Sequence, residues 1–160
     1  MECNVAFSRI APTFLFNRGA DSLTRRQLSI VRKGWMPIGT GWLLRAMRRR
    51  TRHMPFDARD VIGWEANVNG WLVPDADLPN SDLPEALAVR SVAYLSAILA
   101  AFERRSTGGV MVGMASVAPF LGTGRHTAST TFWLDRPGER PYVEAVSAFE
   151  GQAVCLMRSH

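Results

Sequence analysis

The chain has 160 residues, 47% of them hydrophobic and 21% charged, with a net charge of +5. That length suits one domain with a sizeable core and is short for two, and the balance of residue types excludes a generally disordered chain. The charge is uneven, because residues 1–59 carry twelve basic side chains against Glu2, Asp21 and Asp57, whereas residues 60–160 carry seven against eleven carboxylates.

This asymmetry predicts a boundary between His53 and Asp60, with a basic N-terminal segment of unassigned structure (residues 1–54) ahead of a folded domain (residues 55–160). The two cysteines, Cys3 and Cys155, stand at opposite ends with no CxxC or Cys/His spacing, a pattern that points away from a zinc site and from a disulfide framework. No apolar run reaches bilayer-spanning length, and the start lacks the basic, apolar and small-residue order of a signal peptide. A reducing, cytoplasmic setting with no membrane span is therefore expected.

In chain order, residues 1–20 hold scattered apolar positions (Phe7, Ile10, Phe14, Leu15, Phe16) interrupted by Pro12, which suits a short strand or an irregular arm. Ser22 is placed to cap a helix running through Val31, ended by Gly34, Pro37, Gly39 and Gly41. A second short helix is expected over Trp42–Arg50, with Leu43, Ala46 and Met47 on one face. The stretch from Pro55 to Pro74 alternates apolar and polar residues and reads as one or two strands. After a loop rich in Asp and Pro, Ser81 or Asp82 suits an N-cap, Pro84 the first turn and Glu85 the positive end of the helix dipole.

The helix predicted over Asp82–Arg105 is apolar nearly all round, the signature of a buried helix. Arg104 and Arg105 complement its C-terminal dipole, and Gly108-Gly109 ends it. Three strand-like runs follow, at 109–119, 126–134 and 141–157, separated by turns at Gly122-Thr-Gly124 and Pro137-Gly138. One long helix followed by an antiparallel meander is an α+β plan in which a sheet wraps a helix. The edge at Gln152–Met157 is expected to be exposed in a monomer, a physical reason to expect a homodimer.

Several words in this order resemble the C-terminal hotdog module of the acyl-CoA thioesterase II (TesB-like) family. They are Pro55-Phe56-Asp57-Ala58-Arg59-Asp60-Val61, the loop from Leu78-Pro79 to Asp82-Leu83-Pro84, Ala93-Tyr94-Leu95-Ser96, and Phe132-Trp133-Leu134-Asp135-Arg136-Pro137. The resemblance implies a hotdog-like fold, a curved antiparallel sheet wrapped around one long buried helix, that dimerises and binds and hydrolyses an acyl-CoA thioester. It implies a catalytic helix Asp, a Thr or Ser and a late Gln. Ala97 occupies the Asp position, Thr127 matches the hydroxyl, and the Gln and the last strand fall beyond His160. The resemblance thus implies either hydrolysis through Thr127 or a non-catalytic module binding an acyl thioester or a partner. Tyr94, Ile98, Phe132 and Trp133 are the expected walls of the substrate pocket, and Thr127 and Ser129 its polar contacts.

The strongest electrostatic feature is the run Arg45-Ala-Met-Arg48-Arg49-Arg50-Thr-Arg52-His53. Arg45, Arg48, Arg49 and Arg52 are candidate phosphate ligands, for CoA or alternatively for nucleic acid, with Trp35 and Trp42 as stacking rings or core anchors. Gly39-Thr-Gly41 and Gly122-Thr-Gly124 lack the residues that would make a dinucleotide or phosphate loop, and no nucleophile elbow or metal-ligand spacing is present. No cofactor is expected.

Overall fold

The structure is a computed structural model that describes residues 1–11, 21–103, 109–120 and 122–159. In chain order its elements are β1 (Glu2–Cys3), α1 (Val5–Ile10), α2 (Arg25–Lys33), β2 (Trp35–Ile38), β3 (Gly41–Leu44), a 3-10 helix (Arg45–Arg52), α3 (Val61–Val68), β4 (Trp71–Leu72), α4 (Leu83–Glu103), β5 (Val110–Pro119), β6 (His126–Asp135), a 3-10 turn (Val146–Ala148) and β7 (Ala153–Arg158). Five strands form one antiparallel sheet in the order β1-β7-β5-β6-β4, and β2 and β3 form a separate hairpin. The protein is therefore α+β, with one long helix packed on an antiparallel sheet.

Helix α4 forms where the sequence predicts it, because an Ala-, Leu- and Val-rich stretch with no interior Gly has high helix propensity and no polar face to keep in water. Leu87, Tyr94, Leu95, Ile98 and Phe102 are buried in the main core against Met111, Ala115, Phe132, Leu134 and Cys155 of the sheet. Gly113 permits the close approach: a Cβ there would lie 3.0 Å from Leu95 Cδ2 and 3.0 Å from the Phe132 ring. By length and composition α4 is apolar enough to cross a membrane, but 61% of its most apolar window is buried within the protein, the position of a core helix. Arg104, Arg105 and Gly108, expected at its end, lie outside the described residues, as do Pro12, Phe14, Leu15 and Phe16.

Alternation along the strands divides the sheet's two faces. Ala128, Phe132 and Leu134 face α4 in the main core. Trp133, Val112, Val154 and Leu156 form a second, smaller cluster with Ala66 of α3 and Val146.

Residues 1–54 do not stand apart from this core. Phe7, Ile30, Trp35, Leu43, Leu44 and Met47 are buried in the same cluster as α4 and the sheet. The Trp35 indole N–H donates to the Ile98 carbonyl at 3.1 Å, tying the hairpin to the middle of α4. A change in net charge at residue 55 marks a change of surface, while one apolar core runs through both parts.

Several local expectations are corrected. The stretch from Pro55 to Pro74, expected as one or two strands, holds only the short strand β4; its centre is helix α3, started by Asp60, whose side chain accepts from Gly63 N at 2.9 Å. The pattern imitates a strand because Glu65 and Asn69, polar and fully buried, sit on the helix face turned toward two strand edges. The helix expected over Trp42–Arg50 is strand β3 followed by the 3-10 helix. The cap of α2 is Thr24 in a capping box with Gln27, not Ser22. The last three strands are not a meander, because β7 pairs with β5 and not with β6, and residues 141–152 are irregular apart from Val146–Ala148.

The stretch expected to be an exposed edge, Gln152–Met157, lies inside the sheet, with β1 paired to its outer side, and the outermost strands β1 and β4 are two residues each. On β7, Glu2 and Cys3 pair with Leu156 and Cys155. Asn4 continues the cover: its N–H donates to the Val154 carbonyl at 2.9 Å, and its side-chain oxygen accepts from Val154 N at 3.1 Å. At the other edge, β4 pairs only with Ser129 and Thr130 of β6.

The remainder of that edge is closed by two side chains, Glu65 of α3 and Asn69 at its C-cap. Glu65 accepts from Leu134 N at 2.9 Å and from Trp42 N at 2.7 Å. Asn69 accepts from Leu44 N at 2.9 Å and donates to the Trp42 carbonyl at 2.9 Å and the Phe132 carbonyl at 3.4 Å. The i, i+4 pair thus stands between β6 and β3 in place of a strand, satisfying backbone groups that would otherwise be buried without partners. Arg136 completes the junction, donating to both Glu65 oxygens at 2.7 and 3.2 Å.

Candidate anion-binding site

A 3-10 helix has three residues per turn, so positions i and i+3 eclipse and the element presents three straight rows. In Arg45–Arg52 the row Met47-Arg50 turns inward: Met47 is buried, and the Arg50 guanidinium donates to the Val68 and Gly70 carbonyls at the end of α3. The other two rows, Arg45-Arg48-Thr51 and Ala46-Arg49-Arg52, line an open depression of about 750 Å³ together with Lys33 from the end of α2. The four candidate phosphate ligands, Arg45, Arg48, Arg49 and Arg52, are therefore brought to one place, all exposed.

Leu44 hands the chain from β3 directly into the 3-10 helix, and Arg45 N donates to the Gly34 carbonyl at 2.9 Å. The Arg45 Nε donates to the Trp35 carbonyl at 3.1 Å, which holds that guanidinium against the hairpin. Lys33 arrives because Gly34, at φ 62, ends α2 and turns the chain into β2. Among the described residues, none of these five cations is paired with a carboxylate. Unpaired guanidinium forks that share a concavity attract and orient phosphate oxygens, bidentately where geometry allows. Lys33 and Thr51 were not singled out in the sequence. A period of three through the run, with Met47 as the buried register, is the signal that identifies Thr51.

The expected acyl-thioester site is not assembled within the chain. Tyr94 and Ile98 lie on α4 at 0% exposure, and Tyr94 stacks edge-on against Phe132 with centroids 6.0 Å apart. Burial pushes the Tyr94 hydroxyl well above its ordinary range, so it stays protonated. Trp133 and Ser129 are on the opposite face of the sheet, Trp133 buried with its N–H on Asp135 at 2.8 Å and Ser129 exposed beside Leu72. Thr127, half-buried and opposite Ala118, shares that second face. Thr127 and the Ala97 position on α4 are therefore separated by the sheet. Along the strands, Thr127's face also carries Ser129 and Ser116, the latter bonded to Gln152 at 2.8 Å, and none of these is a general base at neutral pH.

Trp35 and Trp42 are core anchors: Trp35 meets Phe102 and Phe132 at 5.5 and 5.9 Å, and Trp42 meets Phe102 at 5.1 Å, all edge-on. The third ring near the basic surface, Trp71, is covered by the Arg26 and Arg50 guanidinium groups at 4.4 and 5.3 Å from its centroid. Among the described residues no group of three or more His, Cys, Asp or Glu is arranged to hold a metal ion.

Fold and site together define a small α+β protein with an arginine-lined depression suited to anions. Comparison with family models, with curated proteins and with solved structures finds no match.

Proposed function

We propose that the protein is a binding module for a phosphorylated small molecule of the coenzyme A class, held by Lys33, Arg45, Arg48, Arg49 and Arg52, and that it does not hydrolyse the thioester through Thr127. The observation that carries this reading is the gathering of five cations round one concavity, none of them paired with a carboxylate among the described residues. Its size falls in the range of small-molecule sites. The succession β4, α4, β5, β6, β7, antiparallel with a buried helix on one face, is compatible with a hotdog-like plan and supports the acyl-thioester side of the reading.

A small phosphorylated ligand is favoured over single-stranded nucleic acid because stacking platforms are an essential part of such surfaces. Trp35 and Trp42 are spent on the core, and the Trp71 ring is already engaged by two guanidinium groups.

The test is thermal stability of the full-length chain with CoA, acetyl-CoA, a long-chain acyl-CoA and a single-stranded oligonucleotide, with thiol release assayed in the same wells. A rise with the CoA series and no thiol supports the reading. Thiol release that is lost in Thr127→Ala restores the enzyme, and a rise with the oligonucleotide alone transfers the depression to nucleic acid.

A further inference from the structure

The residues farthest apart in the sequence that carry reactive chemistry are neighbours in the fold. Cys3 on β1 and Cys155 on β7 are directly opposite in an antiparallel register. Opposite residues in such a pair project to the same face, and the pairs alternate between hydrogen-bonded and non-hydrogen-bonded. Asn4 and Val154, the next pair, exchange backbone and side-chain hydrogen bonds at 2.9 and 3.1 Å. Cys3 and Cys155 therefore occupy the non-hydrogen-bonded position, where Cα atoms approach to about 4.5 Å and side chains are closest. That separation lies inside the range a disulfide accepts, roughly 4.4–6.8 Å between Cα atoms.

The two sulfurs differ in environment. Cys155 is fully buried against α4, while Cys3 is half-buried at the margin of the sheet. The Cys155 thiol points to the Leu156 carbonyl at 4.0 Å; the proximity of the two side chains lowers the Cys3 pKa, and the same proximity together with burial raises that of Cys155.

We infer that Cys3 and Cys155 are a redox-modification site, a cross-strand dithiol that closes to a disulfide by exchange with a low-molecular-weight disulfide. The Cys3 thiolate attacks one sulfur of the small disulfide, giving a mixed disulfide on Cys3 and releasing one thiolate. Cys155 loses its proton and attacks the Cys3 sulfur, the Cys3–Cys155 bond forms, and the second thiolate leaves. Two protein thiols are oxidised and one small disulfide is reduced to two thiols. Closure joins β1 covalently to β7, so the strand that covers the sheet edge, only two residues long, is locked in place. This site is independent of the arginine depression.

The test treats the reduced full-length protein with oxidised glutathione, alkylates the remaining thiols and maps disulfides by mass spectrometry of an unreduced digest. The expected result is one intramolecular Cys3–Cys155 link, no alkylated cysteine, and a Tm higher by roughly 10 °C, since the bond closes a very long loop. Cys3→Ser, at the half-buried position, should fold and show neither the link nor the rise. A stable mixed disulfide left on Cys3, a cross-link between two chains, or two thiols still open to alkylation would overturn the inference. Because the wild-type digest reads the link directly, the result stands even if Cys155→Ser fails to fold.

Discussion

Replacing Glu65 by alanine tests the junction on which the arrangement of hairpin and sheet depends. Glu65 is fully buried, and its carboxylate accepts from Trp42 N, Leu134 N and two nitrogens of Arg136, itself only 15% exposed. Truncation leaves two backbone N–H groups without partners and a nearly buried guanidinium with only the longer ion pair to the half-exposed Glu139, at 3.9 Å. Breaking such a pair costs on the order of 3–5 kcal/mol, a large share of the roughly 5–15 kcal/mol that holds a domain of this kind together. For a chain of this length, that corresponds to a Tm lower by roughly 10 °C.

Urea unfolding followed by tryptophan fluorescence reads the change as a lower midpoint with an unaltered slope. Glu65→Gln, which keeps shape and one acceptor oxygen, should lie between wild type and Glu65→Ala. A midpoint for Glu65→Ala within about 0.5 kcal/mol of wild type, the usual effect of a neutral surface change, would refute the junction. The pH response adds a sign. Burial raises the Glu65 pKa above its ordinary value of 4.5, outweighing the opposing pull of Arg136 and the two N–H groups. The folded state then holds that proton more tightly than the unfolded chain. This contribution to stability is fully present below the unfolded pKa and is lost as pH rises through the folded one. Relative to Glu65→Gln, wild type should lose stability as pH climbs through that window.

Further expectations concern other parts of the molecule. Arg90, 4% exposed, donates to Asp77 at 2.7 Å through two nitrogens and to the Ser22 and Pro74 carbonyls at 2.7 Å. Arg90→Ala should lower the urea midpoint by about 2–4 kcal/mol in free energy, because three acceptors lose their donor, while Asp77→Asn at the exposed end of the pair should cost far less. Gly113→Ala should destabilise by about 1–3 kcal/mol through overpacking between α4 and β6, measured by the same unfolding curve. Trp35→Phe removes the bond to the Ile98 carbonyl and part of a fully buried ring, and should cost about 2–3 kcal/mol. Thr127→Ala should leave both stability and CoA binding at wild-type values in thermal-shift titrations.

What was legible in the sequence follows from how each residue expresses its role. Helix α4 announced itself because its burial is nearly all-round and its residues are strong helix formers. Strands β5 and β6 did so through β-branched and aromatic density with a glycine turn between them. The arginine run was visible as charge, and its geometry needed only the recognition that a period of three, with Met47 inward, describes a 3-10 helix. Helix α3 was hidden because its decisive residues, Glu65 and Asn69, are polar yet buried, satisfied by strand edges distant in sequence. The same cause hid the Cys3–Cys155 pair, since only the return of β7 alongside β1 brings the two ends together. The expected thioester constellation placed Tyr94 and Ile98 with Thr127, Ser129 and Trp133, and strand alternation puts the sheet between the two groups.

The most direct measurement is isothermal titration of the full-length protein with CoA across a range of salt concentrations, for wild type and for Arg48→Ala/Arg49→Ala/Arg52→Ala, three exposed side chains whose loss leaves the core intact. Binding by wild type that weakens steeply as salt screens the cations, and is lost in the triple variant, is the result this account predicts. Equal binding by both proteins, or none by wild type at low salt, would contradict it.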